Sequence, residues 1–315
     1  MKRIAAACLL ICLMLLAQYA LADLEVHFLD VGHGDCAIVR NGEHCMVIDG
    51  GTSGKSDLLF SYLKKMGVKH IDAAVATHPD ADHIGGLPAA FHAAEVNTLY
   101  VLTLEDENDR HKTLIKTATT QKAEIKVPAN GESFELGDAA VSFLVPRTGK
   151  TNESIIVAVS YGAKRFLFCA DATKDAEMLM LDNGDPVAAD VIKIAHHGSD
   201  SSSSMQFLLA VSPEYAVISG NNRYASPDDE VPSKLLAINA TLLHTLQNGH
   251  IVISTDGEKI SIACEKQYVG NINSGIFHRS SCPSVARMKE SNKKPLYTRE
   301  QAIHTRYDPC KNCEP

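Results

Sequence analysis

The stretch whose reading decides the fold is Thr77-His78-Pro79-Asp80-Ala81-Asp82-His83-Ile84-Gly85-Gly86. It places two imidazoles and two carboxylates within six residues. The preceding run, Ile71-Asp72-Ala73-Ala74-Val75-Ala76, is short and apolar and reads as a buried strand. Ligands clustered in a turn at a strand's end are held rigidly and still reach solvent. Imidazole nitrogen and carboxylate oxygen suit zinc or manganese. Four such groups in one turn can serve two ions, one from each side.

Further along, Asp190 to Ala195 reads as a strand that ends in His196-His197-Gly198-Ser199. Adjacent residues at a strand end point opposite ways. One histidine of the pair is therefore expected at the metal, with preference for His196, and His197 is expected at the substrate or behind the ligands. Ser201 to Ser204 reads as a flexible loop that opens a helix. Phe166-Leu167-Phe168-Cys169-Ala170-Asp171 is another strand with a carboxylate at its end. Asp171 could reach two ions with its two oxygens, or it could cap a helix over Ala172 to Leu181.

Upstream, Leu24 to Leu29 alternates like a strand and leads into Asp30-Val31-Gly32-His33-Gly34-Asp35. Asn41-Gly42 marks a hairpin between two further strands, and Asp49-Gly50-Gly51 closes the second. Asp35 and Asp49 read as structural carboxylates that bond loop amides. Helical periodicity covers Ser56 to Met66, Pro88 to Ala94 and Asp109 to Lys122. His92 and His111 fall among polar neighbours in two of these helices and read as surface residues. Strands alternating with helices in this order suit an α/β sandwich. Leu242 through Ile262 reads as a closing hairpin with Asp256-Gly257 at its tip.

The pattern His-x-Asp-x-Asp-His followed by Ile-Gly-Gly resembles the metal motif of the metallo-β-lactamase superfamily. More narrowly it resembles the hydrolase domain of the competence DNA-uptake protein ComEC, over roughly residues 24 to 262. The resemblance implies an αββα sandwich with metal-assisted hydrolysis. It implies that Asp171 bridges two divalent ions, zinc or manganese. One ion would take His78, Asp80 and Asp171; the other would take Asp82, His83, Asp171 and His196. Asp82 could instead act as a base, and His197 would assist catalysis. Three positions stand out, His33 and Ser226 as departures from the ComEC-like pattern and Asn152 as a feature shared with it. His33 stands where Gln is usual and is placed, at most, against substrate. Asn152, in Asn152-Glu153-Ser154, stands where the wider superfamily has a ligand His. Ser226 stands where a His precedes Pro227. Asn152, Ser199 and Arg223 are the expected substrate contacts, although Arg223 also fits a plain surface position.

Composition sets the bounds. The 315 residues are 45% hydrophobic and 22% charged, with no Trp, which is globular. Lys2-Arg3, the apolar run Ile4 to Leu16 and Ala20-Leu21-Ala22 have the order of a secretory signal peptide over residues 1–22; an uncleaved anchor is the alternative. The chain is then expected to be secreted, periplasmic or on the cell surface. No later segment is apolar enough to span a membrane. The net charge is −8. From Lys266 onward nine Lys/Arg face four Asp/Glu, so the tail is basic and the body strongly acidic. An acidic body does not bind nucleic acid by bulk charge, whereas the basic tail could assist; a solvated charged surface is the plain alternative.

The basic tail is expected to be a second module, with the hydrolase domain over 23–265 and the module over 266–315. His278-x3-Cys282 is followed after 27 residues by Cys310-Lys311-Asn312-Cys313. That spacing fits one structural zinc; a Cys310–Cys313 disulfide is the alternative. The arrangement resembles the zinc-binding module of Ada-type DNA-repair proteins, with His278 in place of its first Cys. Taken together, these features predict an exported metal-dependent hydrolase acting on DNA as a nuclease or phosphodiesterase. The alternatives are a hydrolase of another small phosphodiester or ester, and a non-catalytic DNA- or surface-binding protein.

Overall fold

The computed structural model describes residues 24–149, 153–220, 230–265, 268–280, 282–296 and 299–315. The signal-like segment, Asn152, Arg223 and Ser226 lie outside the described residues. Two sheets pack face to face. The first has eight strands, in the order Ile260–Cys264, Ile251–Thr255, Leu24–Phe28, Ala37–Asn41, His44–Ile48, His70–Ala76, Glu95–Val101 and Glu124–Lys126. The second has seven, in the order Thr241–His244, Tyr215–Ile218, Val191–Lys193, Lys164–Phe168, Ile156–Tyr161, Ala139–Leu144 and Ser133–Leu136.

Alternating apolar residues fill the space between the sheets. Phe28 stacks on Phe168, and Tyr100, Phe134 and Phe143 form a second aromatic group. Helices cover the outer faces. Leu59 and Leu63 of helix Ser56–Lys65, Phe91 of Pro88–Ala93 and Leu114 of Asp109–Thr120 pack on the first sheet. Met180 of Lys174–Asn183, Phe207 of Met205–Val211 and Leu235 of Glu230–Ala237 pack on the second. This is the αββα order that the resemblance implied. Truncating any one of the fully buried Phe91, Phe143, Phe166 or Phe207 to Ala would cost about 3–5 kcal/mol.

Both sheets change from antiparallel to parallel pairing near the middle. His44–Ile48, His70–Ala76 and Glu95–Val101 run parallel, as do Lys164–Phe168, Val191–Lys193, Tyr215–Ile218 and Thr241–His244. The carboxyl ends of these strands carry Asp49, Thr77, His78, Asp171, His196 and Ser219. The hairpin expected over 242–262 is smaller than that. Thr241–His244 joins the second sheet in parallel, and Ile251–Thr255 with Ile260–Cys264 forms the hairpin. Helix Lys174–Asn183 is capped by Thr173, whose hydroxyl accepts from the Ala176 amide. Asp171 is thus not the cap.

The tail has its own four-stranded sheet, in the order Lys293–Leu296, Tyr268–Asn271, Ile276–Arg279 and Asp308–Pro309. Its buried apolar side chains are few: Val269, Val285, Phe277, Leu296 and Ala302.

Candidate metal centre

The site is assembled from the ends of parallel strands in both sheets. His78 follows strand His70–Ala76, and His83 sits in the single helical turn Ala81–Ile84. Asp171 comes from across the sandwich. Its Oδ1 lies 3.2 Å from His83 Nε2 and 3.8 Å from His197 Nε2. Its Oδ2 lies 3.5 Å from His78 Nε2 and 3.8 Å from His196 Nε2. One carboxylate thus faces four imidazoles, two on each oxygen. Asp82 Oδ2 lies 3.3 Å from His197 Nε2, and Asp80 Oδ2 lies 3.8 Å from His78 Nε2.

Each imidazole is held by its other nitrogen. His83 donates from Nδ1 to Asp49 Oδ2 at 2.8 Å. His78 Nδ1 pairs with Thr77 Oγ1 at 3.0 Å, and that hydroxyl donates to Asp49 Oδ2. His197 donates from Nδ1 to the Ser219 carbonyl at 2.9 Å, with Asp35 Oδ1 at 3.2 Å. His196 Nδ1 pairs with Ser201 Oγ at 2.9 Å. With Nδ1 engaged, Nε2 presents a lone pair to the cluster, the arrangement by which proteins orient metal-ligating histidines. The buried Nε2 atoms of His78, His83 and His197, and Asp171 Oδ1, have no hydrogen-bond partner. Buried polar atoms are ordinarily satisfied, so a converging set left open is a fit for cations. Asp49 bonds a loop amide, that of Thr77, as expected, whereas the Asp35 carboxylate is held by side chains. Asp35 receives Lys193 Nζ at 2.9 Å and the Ser219 hydroxyl, and its amide donates to the Asp82 carbonyl. Gly34 makes that approach possible: at φ +136° a Cβ there would overlap the Asp82 carbonyl oxygen.

The histidine pair departs from expectation. The strand stops at Lys193, and His196 (φ 49°, ψ 43°) and His197 (φ 53°, ψ 24°) both lie in the left-handed region. Opposite pointing holds only for extended backbone; this turn brings both rings to Asp171. Two consecutive non-glycine residues in that region store strain, a feature concentrated at functional sites. The expected grouping of His196 with Asp82 and His83 changes accordingly. His196 shares an oxygen of Asp171 with His78, and His197 faces Asp82. His197 is also only 1% exposed, so the expected substrate contact through this side chain does not arise. Sequence reasoning went astray there because the turn geometry is not written in the residue types.

Electrostatics follow from burial and pairing. Burial opposes charge on His83, yet Asp171 and Asp49 together hold its pKa well above the imidazole range. Burial likewise opposes charge on His197, and Asp35, Asp82 and Asp171 raise it to about 9. Burial opposes ionisation of Asp171, but His83 and His78 hold its carboxyl well below the usual range. Asp82 is also held low, chiefly by His197 and His83 against its burial. The cluster therefore carries carboxylates at neutral pH, facing imidazolium protons that a bound cation would displace, leaving the imidazoles as its ligands.

The other expected residues are scattered. Asp80 has a 60% exposed side chain at the rim. Ser199 bonds within its own loop, its Oγ 3.0 Å from Ser201 Oγ. The serine run is held rather than loose: Ser202 and Ser203 are buried, and the Ser203 and Ser204 amides donate to the buried Glu177 carboxylate. His92 is exposed as expected, but His111 is buried in a small cavity beside His78, Pro79 and Thr103. His33 was undervalued. Its Nε2 lies 3.5 Å from Asp82 Oδ2, and its ring lies 4.3 Å from that of His197.

In the tail, His278, Cys282, Cys310 and Cys313 present ligand atoms within 4.8 Å of one another. All four side chains that the spacing selected are brought together, and Cys310 and Cys313 are free thiols. A hydrogen bond from the Ser284 backbone amide, with help from His278, lowers the Cys282 thiol to about 6 against its burial. The donor set is that of a structural zinc site.

Comparison with known proteins agrees with this geometry. Residues 29–220 match the metallo-beta-lactamase superfamily, and the chain belongs to it. Residues 261–315 match the metal binding domain of Ada. The ComE operon protein 3 of Bacillus subtilis (strain 168) is 26% identical over 251 residues, which cover 72% of this chain and 32% of that protein. The competence protein ComA of Neisseria gonorrhoeae is 31% identical over 228 residues, covering 70% of this chain and 30% of that protein. The chain thus spans about a third of the length of these curated relatives. Among solved structures, the metallo-beta-lactamase fold protein YhfI from Bacillus subtilis superposes with a TM-score of 0.53 at 12% identity, covering 74% of this chain and 100% of that one. CmlA, a diiron beta-hydroxylase from Streptomyces venezuelae, gives 0.50 at 14% identity, covering 74% and 54%. At such identities the likeness concerns the fold. No helix among the described residues is long and apolar enough to cross a membrane.

Proposed function

We propose that this chain is an exported metal-dependent hydrolase that cleaves phosphodiester bonds, with DNA as the first substrate. The observation that carries the reading is the convergence of four Nδ1-anchored imidazoles on the two oxygens of Asp171. His78, His83 and Asp171, whose ligand atoms lie within 4.8 Å of one another, would hold one divalent ion with Asp80 and His196 at its open side, and Asp82, His197 and Asp171 would hold the other, zinc or manganese in each case. Such ions lower the pKa of a water and stabilise charge on the attacked group. The chain's own residues set the rest. An Asp82 oxygen that does not bind the ion could instead accept a proton from the nucleophile. Asp80 and His196 are the exposed members of the cluster, so substrate approaches over them and not past the buried His83 and His197. Ser199, Asn152 and Arg223 are assigned to substrate contact on the sequence pattern alone.

The signal-like segment 1–22 supports export. The competence-protein relatives and the basic tail support DNA. In the tail, His278, Cys282, Cys310 and Cys313 would hold a zinc whose role is to fold a unit with little core of its own.

The test is digestion of linear and circular DNA by residues 23–315, with manganese or zinc, beside Asp171→Ala. Metal-dependent cutting that falls by at least about a thousandfold in the variant is the expected result, since the variant removes a group shared by both ions. Metal-loaded protein that cuts no DNA would overturn the nuclease reading. It would direct attention to small phosphodiesters and esters or, if those survive too, to a binding protein.

A further inference from the structure

The six groups of the two metal turns, with Asp171, do not exhaust the ligands around this site. His33 arrives from the loop after strand Leu24–Phe28, on the side of the cluster where Asp82 and His197 meet. Its Nε2 lies 3.5 Å from Asp82 Oδ2, and His197 Nε2 lies 3.3 Å from the same oxygen. The three ligand atoms fall within 4.8 Å of one another, as do those of His78, His83 and Asp171. Tetrahedral zinc with bonds of about 2.0–2.2 Å separates its ligands by roughly 3.3–3.6 Å. The spacings at Asp82 are those of ligand edges around one ion. The ring of His33 is also steadied by packing on His197. Behind it the loop is pinned, because the Asp35 amide donates to the Asp82 carbonyl and Gly34 leaves no room for a Cβ.

We infer that His33 is a metal ligand, completing with Asp82 and His197 the ion site on the Oδ1 side of Asp171. The inference deepens the metal-centre reading of the same site and rests on it. It makes the two ions unequal. The site with His33 is the more completely enclosed by protein, and the other keeps the exposed Asp80 and His196 and the opening to solvent. The ion beside His33 is the tighter of the two.

The experiment is cobalt(II) titration of metal-stripped chain, followed by the ligand-field bands of the body site and the thiolate charge-transfer band of the tail. The parent takes up two body ions of different affinity as well as the tail ion. His33→Gln, the residue usual in the ComEC-like pattern and so compatible with the fold, should weaken the tighter body ion by at least about tenfold. The tail band should stay unchanged. His33→Cys should restore that affinity and add a thiolate band that develops with the body ion, which a residue merely contacting substrate would not do. A Gln variant with the parent's affinities, or a Cys variant without a new body band, overturns the assignment. A parent that takes up cobalt only in the tail overturns the metal-centre reading itself.

Discussion

The two ligand clusters of this chain are built in opposite ways. In the body, ligands from loops far apart in sequence are set at strand ends by two sheets and their helices. Each histidine is fixed through Nδ1 before any ion arrives. In the tail, four ligands sit in a unit whose buried apolar side chains are few. The body spends its stability on holding a site open; the tail has too little core to hold anything without its ion. The difference teaches that ligand convergence means different things in the two places. In the body it is a property of the fold, and in the tail we propose that it is a condition for folding.

Chelation should bring out this difference most visibly. Treating the full chain with a strong chelator should expose residues 268–315 to proteolysis and to fast amide exchange, while the body keeps its protection. Binding free energies of about 10–16 kcal/mol for structural zinc in small modules set the scale of the loss. If both regions stay protected, the tail does not depend on metal. If both open, the body is not preorganised.

Asp49→Asn sharpens the account of the body. Asp49 Oδ2 accepts from His83 Nδ1 and the Thr77 hydroxyl, and its Oδ1 accepts from the Thr77 amide. Removing that anchor should lower body metal affinity by about 10–100-fold, read by competition titration, and leave the tail ion untouched.

A smaller effect concerns His244, at the end of its strand in the second sheet. Burial lowers its pKa to about 4, and its Nδ1 accepts from the Leu246 amide. In the unfolded chain it would titrate near 6.5. Between those values the unfolded state holds the extra proton, so the stability tied to this residue is present above pH 6.5 and is lost as pH falls toward 4. At pH 5 the loss is about 2 kcal/mol. His244→Asn can still cap the turn and should abolish that part of the acid sensitivity. Urea midpoints of metal-stripped parent and variant at pH 7 and pH 5 measure it.

Much of the site was legible because metal chemistry restricts residue types and because the turn from His78 to His83 is local. Asp171 and the tail ligands were legible for the same reason. What failed to show was non-local. Asp35 meets Ser219 across 184 residues, and nothing in either stretch announces the other. The left-handed turn at His196-His197 removed the expected division of labour within the pair, because both rings face Asp171. His111 looked like a surface residue by its neighbours in sequence and is buried by its neighbours in space. The serine run looked loose because its anchor, Glu177, lies on another helix. His33, standing where Gln is usual, is placed at most against substrate by the sequence, and its approach to Asp82 and His197 is visible only in the fold.

The most direct test of the central claim, that Asp171 is shared by two ions, is a crystal of the full chain grown with zinc and measured on both sides of the zinc absorption edge. The account predicts anomalous peaks on either side of Asp171 and one among His278, Cys282, Cys310 and Cys313. A map with the tail peak alone would contradict it.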